Sequence, residues 1–350
     1  MSRIGFGIIG CGMIAPFHAR ALAEIEDVDI VALQSRRRDR AEALAQSLSQ
    51  PVGIYADIDE MLHHPGLDVV CICTASGAHL EPALAAAKAG KHVIVEKPLE
   101  VSLQRCDALI AACERAGVRL GAIFPSRYAD ANRLLKDAID KGRFGRLTMG
   151  ATACPWWRSQ AYYDEGGWKG TIALDGGGAL MNQAIHNVDL LLWLMGEVQS
   201  VAAMTATLAH ERIEVEDTAV ACVRFRSGAL GIIQAATSAY PGWPKTIAIH
   251  GDEGSALVEQ EDLMRWDFKN PLPEDEAIRS RYAHKVAASG GASNPAAISH
   301  EYHRRQLQDF VTAIRTGQHP AVDGAEGRKA VALILAIYES AQTGRLMHWQ

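Results

Sequence analysis

The hydrophobic pattern changes character at Pro125. Before it, short apolar runs alternate with helical patterns, which is the order of a parallel sheet covered by helices. The predicted strands are Ile4–Ile9, Asp29–Gln34, Asp68–Thr74, Lys91–Val95 and Val118–Phe124, and the predicted helices are Phe17–Ile25, Asp39–Leu48, Leu80–Ala89 and Ser102–Ala116. We therefore predict an α/β fold with a doubly wound parallel sheet over residues 1–124.

Beyond Pro125 the pattern favours an α+β domain over residues 125–350 with a large, open, mainly antiparallel sheet. Turn signals at Ser227-Gly228 and Asp252–Gly254 join strand candidates by short connections. The candidates are Leu147–Pro155, Val198–Leu208, Thr218–Phe225, Ala229–Thr237, Thr246–His250 and Ser255–Glu259, and the predicted helices are Asp130–Lys141, Gly176–Met195, Tyr302–Thr316 and Ala325–Thr343. The last two helices can pack back on the first domain.

One segment of the second domain lacks a regular pattern. Residues Glu274–Ser299 contain Gly290-Gly291 and many small or charged side chains. We predict a mobile loop or lid there.

Composition narrows the class of protein. A net charge of −6 argues against binding to nucleic acid or to an anionic membrane. No apolar run is long enough to span a bilayer. The seven cysteines contain no C-x-x-C pair, which favours free thiols over disulfides or a metal site. With no signal peptide evident, we expect a cytoplasmic protein without a metal.

A glycine-rich loop follows the first strand. Gly10-Cys-Gly12-Met-Ile-Ala15 is a G-x-G-x-x-A motif between a strand and a helix, the arrangement of a Rossmann dinucleotide site. Gly10 allows the tight turn and Gly12 lets the backbone approach a pyrophosphate, which the helix start then binds. We expect Met13 and Ile14, inside the loop, to contact the cofactor too.

The end of the second strand indicates which nicotinamide cofactor binds. An acidic residue there would accept the ribose 2′-hydroxyl, but this chain has Ser35 and Arg36. A hydroxyl and a guanidinium suit a 2′-phosphate, so NADP(H) is expected over NAD(H), which stays possible. The alternative is that Arg36, with Arg37 and Arg38 after it, only forms the solvated basic start of the next helix.

The predicted helix Gly176–Met195 has a polar stripe opposite a wide apolar face. Asn182, His186 and Asp189 lie at i, i+4 and i+7, so they can line one cleft. Gly176–Gly178 remove side chains at the helix start, where something must approach closely. The plainer alternative is a helix packed on a sheet, with His186 serving structure alone.

Three features together resemble the glucose–fructose oxidoreductase/inositol dehydrogenase (Gfo/Idh/MocA) family. They are the glycine loop, the segment Gly90–Leu99 with Glu96-Lys97-Pro98, and the glycine-rich helix carrying His186 and Asp189. The resemblance spans essentially the whole chain. It implies an NAD(P)-dependent dehydrogenase that acts on a secondary hydroxyl of a sugar, sugar derivative or cyclic polyol.

The resemblance also implies roles for individual residues. Lys97 would hydrogen-bond the reacting oxygen and His186 would be the general acid/base. Thr74, His79 and Glu96 would lie along the cofactor. Many relatives have an aspartate four residues before the histidine, where this chain has Asn182; an amide cannot take a proton but can orient a hydroxyl.

Aromatic residues after the strand Leu147–Pro155 suggest a substrate wall. Trp156-Trp157-Arg158, Tyr162-Tyr163 and Trp168 follow in close succession. Aromatic faces pack on sugar rings, and a guanidinium can bind hydroxyls or a carboxylate. Arg158 and Trp168 are the predicted substrate contacts, although both residue types also serve ordinary packing.

Two other classes of function stay open at this point. One is a cofactor-binding regulatory protein of the same fold, and the other is a glycosidase that uses bound NAD for a transient oxidation.

The oligomeric state is predicted from the second sheet. The strand Val220–Phe225 is apolar on both faces, which predicts a homodimer or homotetramer assembled through that sheet.

Overall fold

The structure is a computed structural model, and it describes residues 3–165, 167–282 and 299–349. The chain divides into two compact units. One comprises Met1–Pro125 with Ser299–Val331, and the other comprises Ser126–Ile298 with Ala332–Gln350.

Strands and helices are numbered along the chain. The strands are β1 (Ile4–Ile9), β2 (Val28–Gln34), β3 (Gly53–Tyr55), β4 (Val69–Ile72), β5 (His92–Val95), β6 (Leu120–Ala122), β7 (Leu147–Pro155), β8 (Val198–Ala206), β9 (Thr218–Phe225), β10 (Leu230–Ala236), β11 (Thr246–Gly251), β12 (Gly254–Glu259), β13 (Asp262–Phe268) and β14 (Met347–His348). The helices are α1 (Ala15–Ala23), α2 (Arg38–Gln46), α3 (Ile58–Leu62), α4 (Leu80–Lys88), α5 (Leu103–Ala116), α6 (Asp130–Asp140), α7 (Gln160–Asp164), α8 (Ile172–Asp175), α9 (Ile185–Met195), α10 (Pro273–Tyr282), α11 (Glu301–Thr316) and α12 (Gly324–Thr343).

The first unit contains the predicted Rossmann sheet. Its six strands are all parallel, in the order β3-β2-β1-β4-β5-β6. Every residue of β1 and β4 is buried, as expected for strands covered on both faces. The sequence missed β3 and α3, because β3 has only three half-buried residues at the sheet edge.

Helix α11 completes the core of the first unit. Leu307, Phe310 and Val311 belong to the same buried cluster as Phe6 of β1. Gln306 continues the hydrogen bonding of the last strand, since it accepts from Phe124 N at 2.9 Å and donates to Ala122 O at 2.7 Å. A helix whose Gln306 lies 182 and 184 residues from its partners in the sequence therefore packs at the end of this sheet.

The second unit contains an eight-stranded sheet in the order β13-β12-β11-β7-β10-β9-β8-β14. All neighbouring pairs are antiparallel except β7 with β10, which are parallel. The mainly antiparallel prediction is confirmed. Strands β13 and β14 were not predicted.

Helix α9 packs on one face of the second sheet. A Cβ on Gly150 of β7 would lie 2.7 Å from Met195 Cγ, so the glycine allows close approach. Asn187 donates to Thr152 Oγ1 at 2.7 Å and to Thr246 O at 3.1 Å, which ties the helix to β7 and β11. Its axis is thereby fixed against the strands.

The opposite face of this sheet is exposed and partly apolar. Met149, Met204, Val220 and Ile232 are exposed large hydrophobic residues. Val220 lies across from Met204 on β8, while Ile232 lies beside β7.

Two further observations concern predictions made above. All seven cysteines are free, and six are buried while Cys222 is exposed. In the described ranges, no helix combines the length and hydropathy needed to cross a bilayer.

The prediction of a loop over Glu274–Ser299 is wrong for the first part of that segment. Residues up to Tyr282 form α10, whereas residues 283–298 lie outside the described residues. Asp275 anchors this helix: its carboxylate accepts two hydrogen bonds from Arg143, both at 2.7 Å, and one from Trp266 Nε1 at 2.8 Å. The hydrogen bonds from Arg143 hold the pKa of Asp275 well below its usual range. The anchor joins residues more than 130 positions apart, so a local pattern could not reveal it.

We expect Asp275→Ala to destabilise the protein by about 3 kcal/mol, because it leaves the largely buried Arg143 without this carboxylate. Urea unfolding would measure the loss. The matched control is Glu276→Ala on the exposed face of the same helix, where a surface ion pair contributes about 0–1 kcal/mol. Equal stabilities for the two variants would contradict the anchor.

Candidate active site

The glycine loop of the first unit has the geometry of a dinucleotide cradle. Gly10 has φ of 90°, and a Cβ there would lie 2.8 Å from Cys73 O, so only glycine fits. A Cβ on Gly12 would meet nothing within 4 Å. Ile14, the N-cap of α1, makes no side-chain cap hydrogen bond. Open space above Gly12 and a helix start without a side-chain cap suit a pyrophosphate.

Ser35 and Arg36 lie at the end of β2, as predicted. Ser35 is buried and its Oγ accepts from Arg37 N at 3.1 Å. Arg37 and Arg38 form ion pairs with Asp39 and Glu42. Arg36 is exposed and forms no salt bridge with any residue that the structure describes. Of the three arginines, Arg36 could therefore meet a ligand without breaking an ion pair.

The turn after β5 exposes one side chain. From Val93 to Glu100 every residue is buried except Lys97. His79 Nδ1 lies 2.9 Å from Pro98 O and its Nε2 lies 3.3 Å from Thr74 O, which ties the turn to the end of β4. Burial lowers the pKa of His79.

The other flank of the turn is held by a carboxylate. Glu100 is fully buried, accepts from Leu80 N at 3.1 Å and forms an ion pair with Arg105 at 2.8 Å. Lys97 is thus the accessible group of a rigidly held turn.

Glu96 points into the unit. Its Oε1 lies 2.7 Å from His18 Nε2 and 3.8 Å from His303 Nε2, and its Oε2 accepts from Lys97 N at 3.1 Å. Although burial opposes ionisation, His18 lowers the pKa of Glu96 to about 2. Burial also disfavours charge on His18, but Cys73, Cys71 and then Glu96 beside it raise its pKa. Burial lowers the pKa of His303 to about 4.

Sequence reasoning missed both histidines of this cluster. The only local signal was His18 on the helix behind the glycine loop, since His303 comes from α11. The ligand atoms of Glu96 and the two histidines lie within 4.8 Å of one another. The 2.7 Å contact is a hydrogen bond, however, and zinc ligands stand farther apart, at roughly 3.3 Å in a tetrahedral site. We assign this cluster to an ion pair.

In the second unit, the predicted helix Gly176–Met195 is not one continuous α-helix. Residues Ala179–Ala184 form a π-helical turn and α9 begins at Ile185. Such turns are frequent at functional sites. Asn182 lies within this π-turn and His186 in the first turn of α9.

A buried carboxylate from another part of the chain caps the start of the π-turn. Glu216 accepts from Gly178 N at 2.9 Å, from Leu180 N at 2.8 Å and from Tyr338 OH at 3.0 Å. Burial raises the pKa of Glu216. A Cβ on Gly178 would lie 1.8 Å from Glu216 O, and one on Gly177 would lie 2.2 Å from Tyr338 OH. The groups that approach these glycines closely are therefore parts of the protein itself, namely Glu216 and Tyr338.

Asn182 and His186 are the accessible side chains of this element. All other residues from Gly177 to Leu191 are buried. The expectation that Asp189 lines the same cleft is wrong. Asp189 is buried in a bidentate ion pair with Arg127, at 2.6 and 2.8 Å, so it supports the helix.

The predicted substrate wall lies partly inside the unit. Arg158 is 3% exposed and donates to Trp157 O at 2.8 Å and to Gln183 Oε1 at 2.9 Å. Burial lowers the pKa of Arg158. Trp168 is half-buried. Arg158 therefore supports the neighbour of Asn182, while Trp168 retains an accessible surface.

Each unit thus presents accessible polar groups on a rigid base. The first has a nucleotide-type glycine loop and Lys97, and the second has Asn182 and His186. A parallel sheet with a glycine loop of this kind is typical of nicotinamide-dependent oxidoreductases. Comparison with known proteins identifies the particular family.

Residues 4–124 match the oxidoreductase family with an NAD-binding Rossmann fold, and residues 132–257 match the GFO/IDH/MocA C-terminal domain. The chain belongs to the Gfo/Idh/MocA oxidoreductase family, as the sequence motifs indicated. It is 30% identical to myo-inositol 2-dehydrogenase of Thermotoga maritima, over 97% of this chain and 96% of that protein. It is 26% identical to 1,5-anhydro-D-fructose reductase of Ensifer adhaerens, over 97% of each chain.

Among solved structures, the WlbA dehydrogenase of Bordetella pertussis in complex with NADH and UDP-GlcNAcA is similar throughout. The TM-score is 0.90 at 35% identity, covering 100% of this chain and 98% of that one. The likeness includes both units of the chain.

We expect Gly178→Ala to destabilise the protein by about 1–3 kcal/mol and to lower any activity that depends on Asn182, because the new methyl group collides with Glu216 O. Tyr338→Phe is the matched control: it removes one hydrogen bond to Glu216 and should cost about 1 kcal/mol. Urea unfolding would compare the two. A Gly178→Ala protein as stable as the unsubstituted one would contradict this close packing of Gly178 against Glu216.

Proposed function

We propose that the protein is an NAD(P)-dependent dehydrogenase that transfers a hydride between the nicotinamide and a secondary hydroxyl or ketone. The substrate is a sugar, a sugar derivative or a cyclic polyol. The names of the relatives support this substrate class: an inositol dehydrogenase, an anhydrofructose reductase and a dehydrogenase bound to a nucleotide sugar.

One observation carries the proposal. Lys97 is the single accessible residue of Val93–Glu100, and Asn182 and His186 are the two accessible residues of Gly177–Leu191. Packing thus singles out a lysine, an amide and an imidazole from two buried segments. A protein that only bound the cofactor would have no use for accessible acid/base groups held in this way.

The residue types suit alcohol oxidation. A bound nicotinamide dinucleotide supplies the hydride acceptor or donor. Loss of hydride from a carbinol carbon requires removal of the hydroxyl proton, which His186 accepts as general base. The ammonium of Lys97 stabilises the developing alkoxide, and Asn182 orients the substrate. Thr74 and His79, beside the turn that carries Lys97, flank the cofactor.

In this proposal Trp168 binds the substrate, and Arg158 supports the site from the protein interior. The half-buried Trp168 ring offers a face for a sugar ring. Arg158 holds Gln183, which adjoins Asn182, so its loss should disturb substrate binding more than cofactor binding.

A spectrophotometric screen tests the proposed activity. It compares cyclic polyols, aldoses, glycosides, anhydrosugars and UDP-GlcNAcA with both cofactors, and turnover appears as a change in NAD(P)H absorbance. Release of free sugar without net NAD(P)H production would indicate the glycosidase instead. Cofactor binding without turnover on any compound would indicate a regulatory protein.

We expect His186→Ala and Lys97→Ala each to lower kcat by about 10²–10⁴-fold, the usual contribution of one acid/base group. The double variant should lose far less than the product of both factors, because the two groups act on one proton. Steady-state kinetics on the best substrate would show this. The controls are His319→Ala and Lys88→Ala, which change exposed residues. A His186→Ala enzyme with unchanged kcat would refute the assignment.

We propose a preference for NADP(H), on the basis of Ser35 and the exposed Arg36. Arg36→Asp should weaken NADP(H) binding by about tenfold or more and spare NAD(H), because a carboxylate repels a 2′-phosphate. Fluorescence titration would give the dissociation constants. Arg40→Asp, at another exposed arginine, makes the same charge change outside the predicted site. Equal affinities for both cofactors in the unsubstituted protein would overturn the preference.

We propose that the protein is a homodimer or homotetramer assembled through the exposed face of the second sheet. Met149, Met204, Val220 and Ile232 make that face apolar, and such a surface is rarely left in water. Ile232→Asp should therefore shift light scattering toward the monomer, whereas Leu84→Asp on α4 should not. A monomer at micromolar concentration in the unsubstituted protein would remove this proposal.

A further inference from the structure

A half-buried lysine follows directly after Trp168, the residue to which the proposed function assigns the sugar ring. Lys169 Nζ donates to Tyr162 O at 3.2 Å and lies 3.8 Å from the centroid of the Tyr162 ring. Because Lys169 is only half-buried, its side chain keeps an accessible part. A cation therefore accompanies the proposed sugar-binding residue.

Hydrogen bonds on two sides hold Lys169 in the same part of the unit as Asn182. On one side, the backbone N–H of the residue after Lys169 donates to Asp175 Oδ2 at 2.8 Å, and Asn182 donates to Asp175 Oδ1. On the other side, Lys169 contacts Tyr162, whose hydroxyl accepts from Gln183 Nε2 at 3.1 Å. Gln183 is the next residue after Asn182. Both connections are short, so the two accessible side chains are fixed near one another.

The ammonium of Lys169 has more donors than the protein uses. An ammonium carries three N–H donors and no acceptor. In the described ranges, the acceptor within hydrogen-bonding distance is Tyr162 O, and the Tyr162 ring can face one further N–H. At least one donor is therefore left for a ligand. Burial lowers the pKa of Lys169, and a bound anion would compensate for this burial.

The charges around Lys169 leave its positive charge without a direct partner. Glu165 and Asp175 favour the charged lysine, and Arg158 opposes it. Glu165 is exposed, and each oxygen of Asp175 already accepts a hydrogen bond. Within the part of the chain that the structure describes, Lys169 is in ion-pair contact with neither carboxylate. Arg158 Cζ lies 5.5 Å from the centroid of the Tyr162 ring, so a second cation shares that ring.

We infer that Lys169 binds an anionic group of the substrate, so that the compound on which this enzyme acts is a sugar or polyol derivative that carries a carboxylate or a phosphate. This inference rests on the proposed function, since it names the substrate class of that site. Both groups offer charged oxygen acceptors, and hydrogen bonds between charged partners are the stronger ones. An ammonium meets either group as a point charge.

The same geometry disfavours a neutral substrate. A neutral ring on Trp168 would cover more of the Lys169 ammonium and remove water from it without supplying an opposite charge. Burial of a charge is unfavourable unless the charge is paired. The lysine therefore selects an anion in two ways, by attraction of the charged compound and by the desolvation that a neutral one imposes.

The selectivity is tested with pairs of compounds that differ in charge. Glucuronate with glucose tests a carboxylate on the ring, and glucose 1-phosphate with methyl glucoside tests a phosphate. UDP-GlcNAcA with UDP-GlcNAc tests the carboxylate on a nucleotide sugar. We expect the unsubstituted enzyme to prefer the charged member of at least one pair by roughly 10–100-fold in kcat/KM. The pair that shows the preference identifies the anionic group.

Lys169→Met should remove this preference, because the methionine retains the bulk of the side chain and loses its charge. Lys169→Arg should keep most of it. Lys141→Met, at an exposed lysine of α6, is the matched control and should leave the ratio unchanged. A lysine that only packs on Tyr162 would, on substitution, lower kcat/KM equally for both members of a pair. Such an equal loss would overturn the inference.

Binding, measured separately from turnover, distinguishes this inference from the proposed function. Calorimetric titrations add each member of a pair to the protein loaded with NAD(P)H. Turnover of neutral compounds as fast as charged ones refutes the inference and leaves the dehydrogenase standing. Absence of turnover on every compound refutes the proposed function alone, provided that a charged member binds and loses its affinity in Lys169→Met. Equal affinity for both members of every pair, or no binding at all, overturns the inference.

Discussion

The capping of one backbone turn by the Glu216 carboxylate is the interaction on which the second unit's polar site depends. A buried carboxylate is costly unless hydrogen bonds compensate it. Here two backbone N–H groups and Tyr338 supply them. The same bonds satisfy donors at a helix start that would otherwise be orphaned. Because the turn begins at a fixed point, the residues that follow it are placed with little freedom.

In the first unit, a different buried carboxylate holds the backbone beside the accessible group. Glu96 is buried against His18 and also accepts from the backbone N–H of Lys97. The ion pair joins α1, which follows the glycine loop, to the turn that carries Lys97. A shift of the glycine loop would therefore disturb the lysine. In both units the accessible side chain has little conformational freedom, because a buried carboxylate holds the backbone beside it.

Local patterns were sufficient for most strands and helices of the fold, although β3, α3, β13, β14 and α10 were missed. The strands around Gly10 and the alternation of β9 and β10 were readable because burial imposes a period on the sequence. Lys97 and His186 were found by motif. The supports were not found, since His303, Glu216 and Tyr338 are distant in sequence from what they hold. A hydrogen-bond partner more than thirty residues away in the sequence leaves no periodic pattern near the residue that it contacts.

The same limit applies near the accessible groups. Asp189 has the spacing of a cleft residue, but Arg127 neutralises it in the interior, and spacing alone cannot distinguish these outcomes. Arg158, predicted as a substrate contact, is buried and donates to Gln183. In neither case did the local sequence show that the charged side chain is buried. Buried charges beside a site more often fix the geometry of the group that meets the ligand. In this chain Glu216, Asp189 and Arg158 are such buried charges, and they hold the backbone and side chains beside the accessible Asn182 and His186.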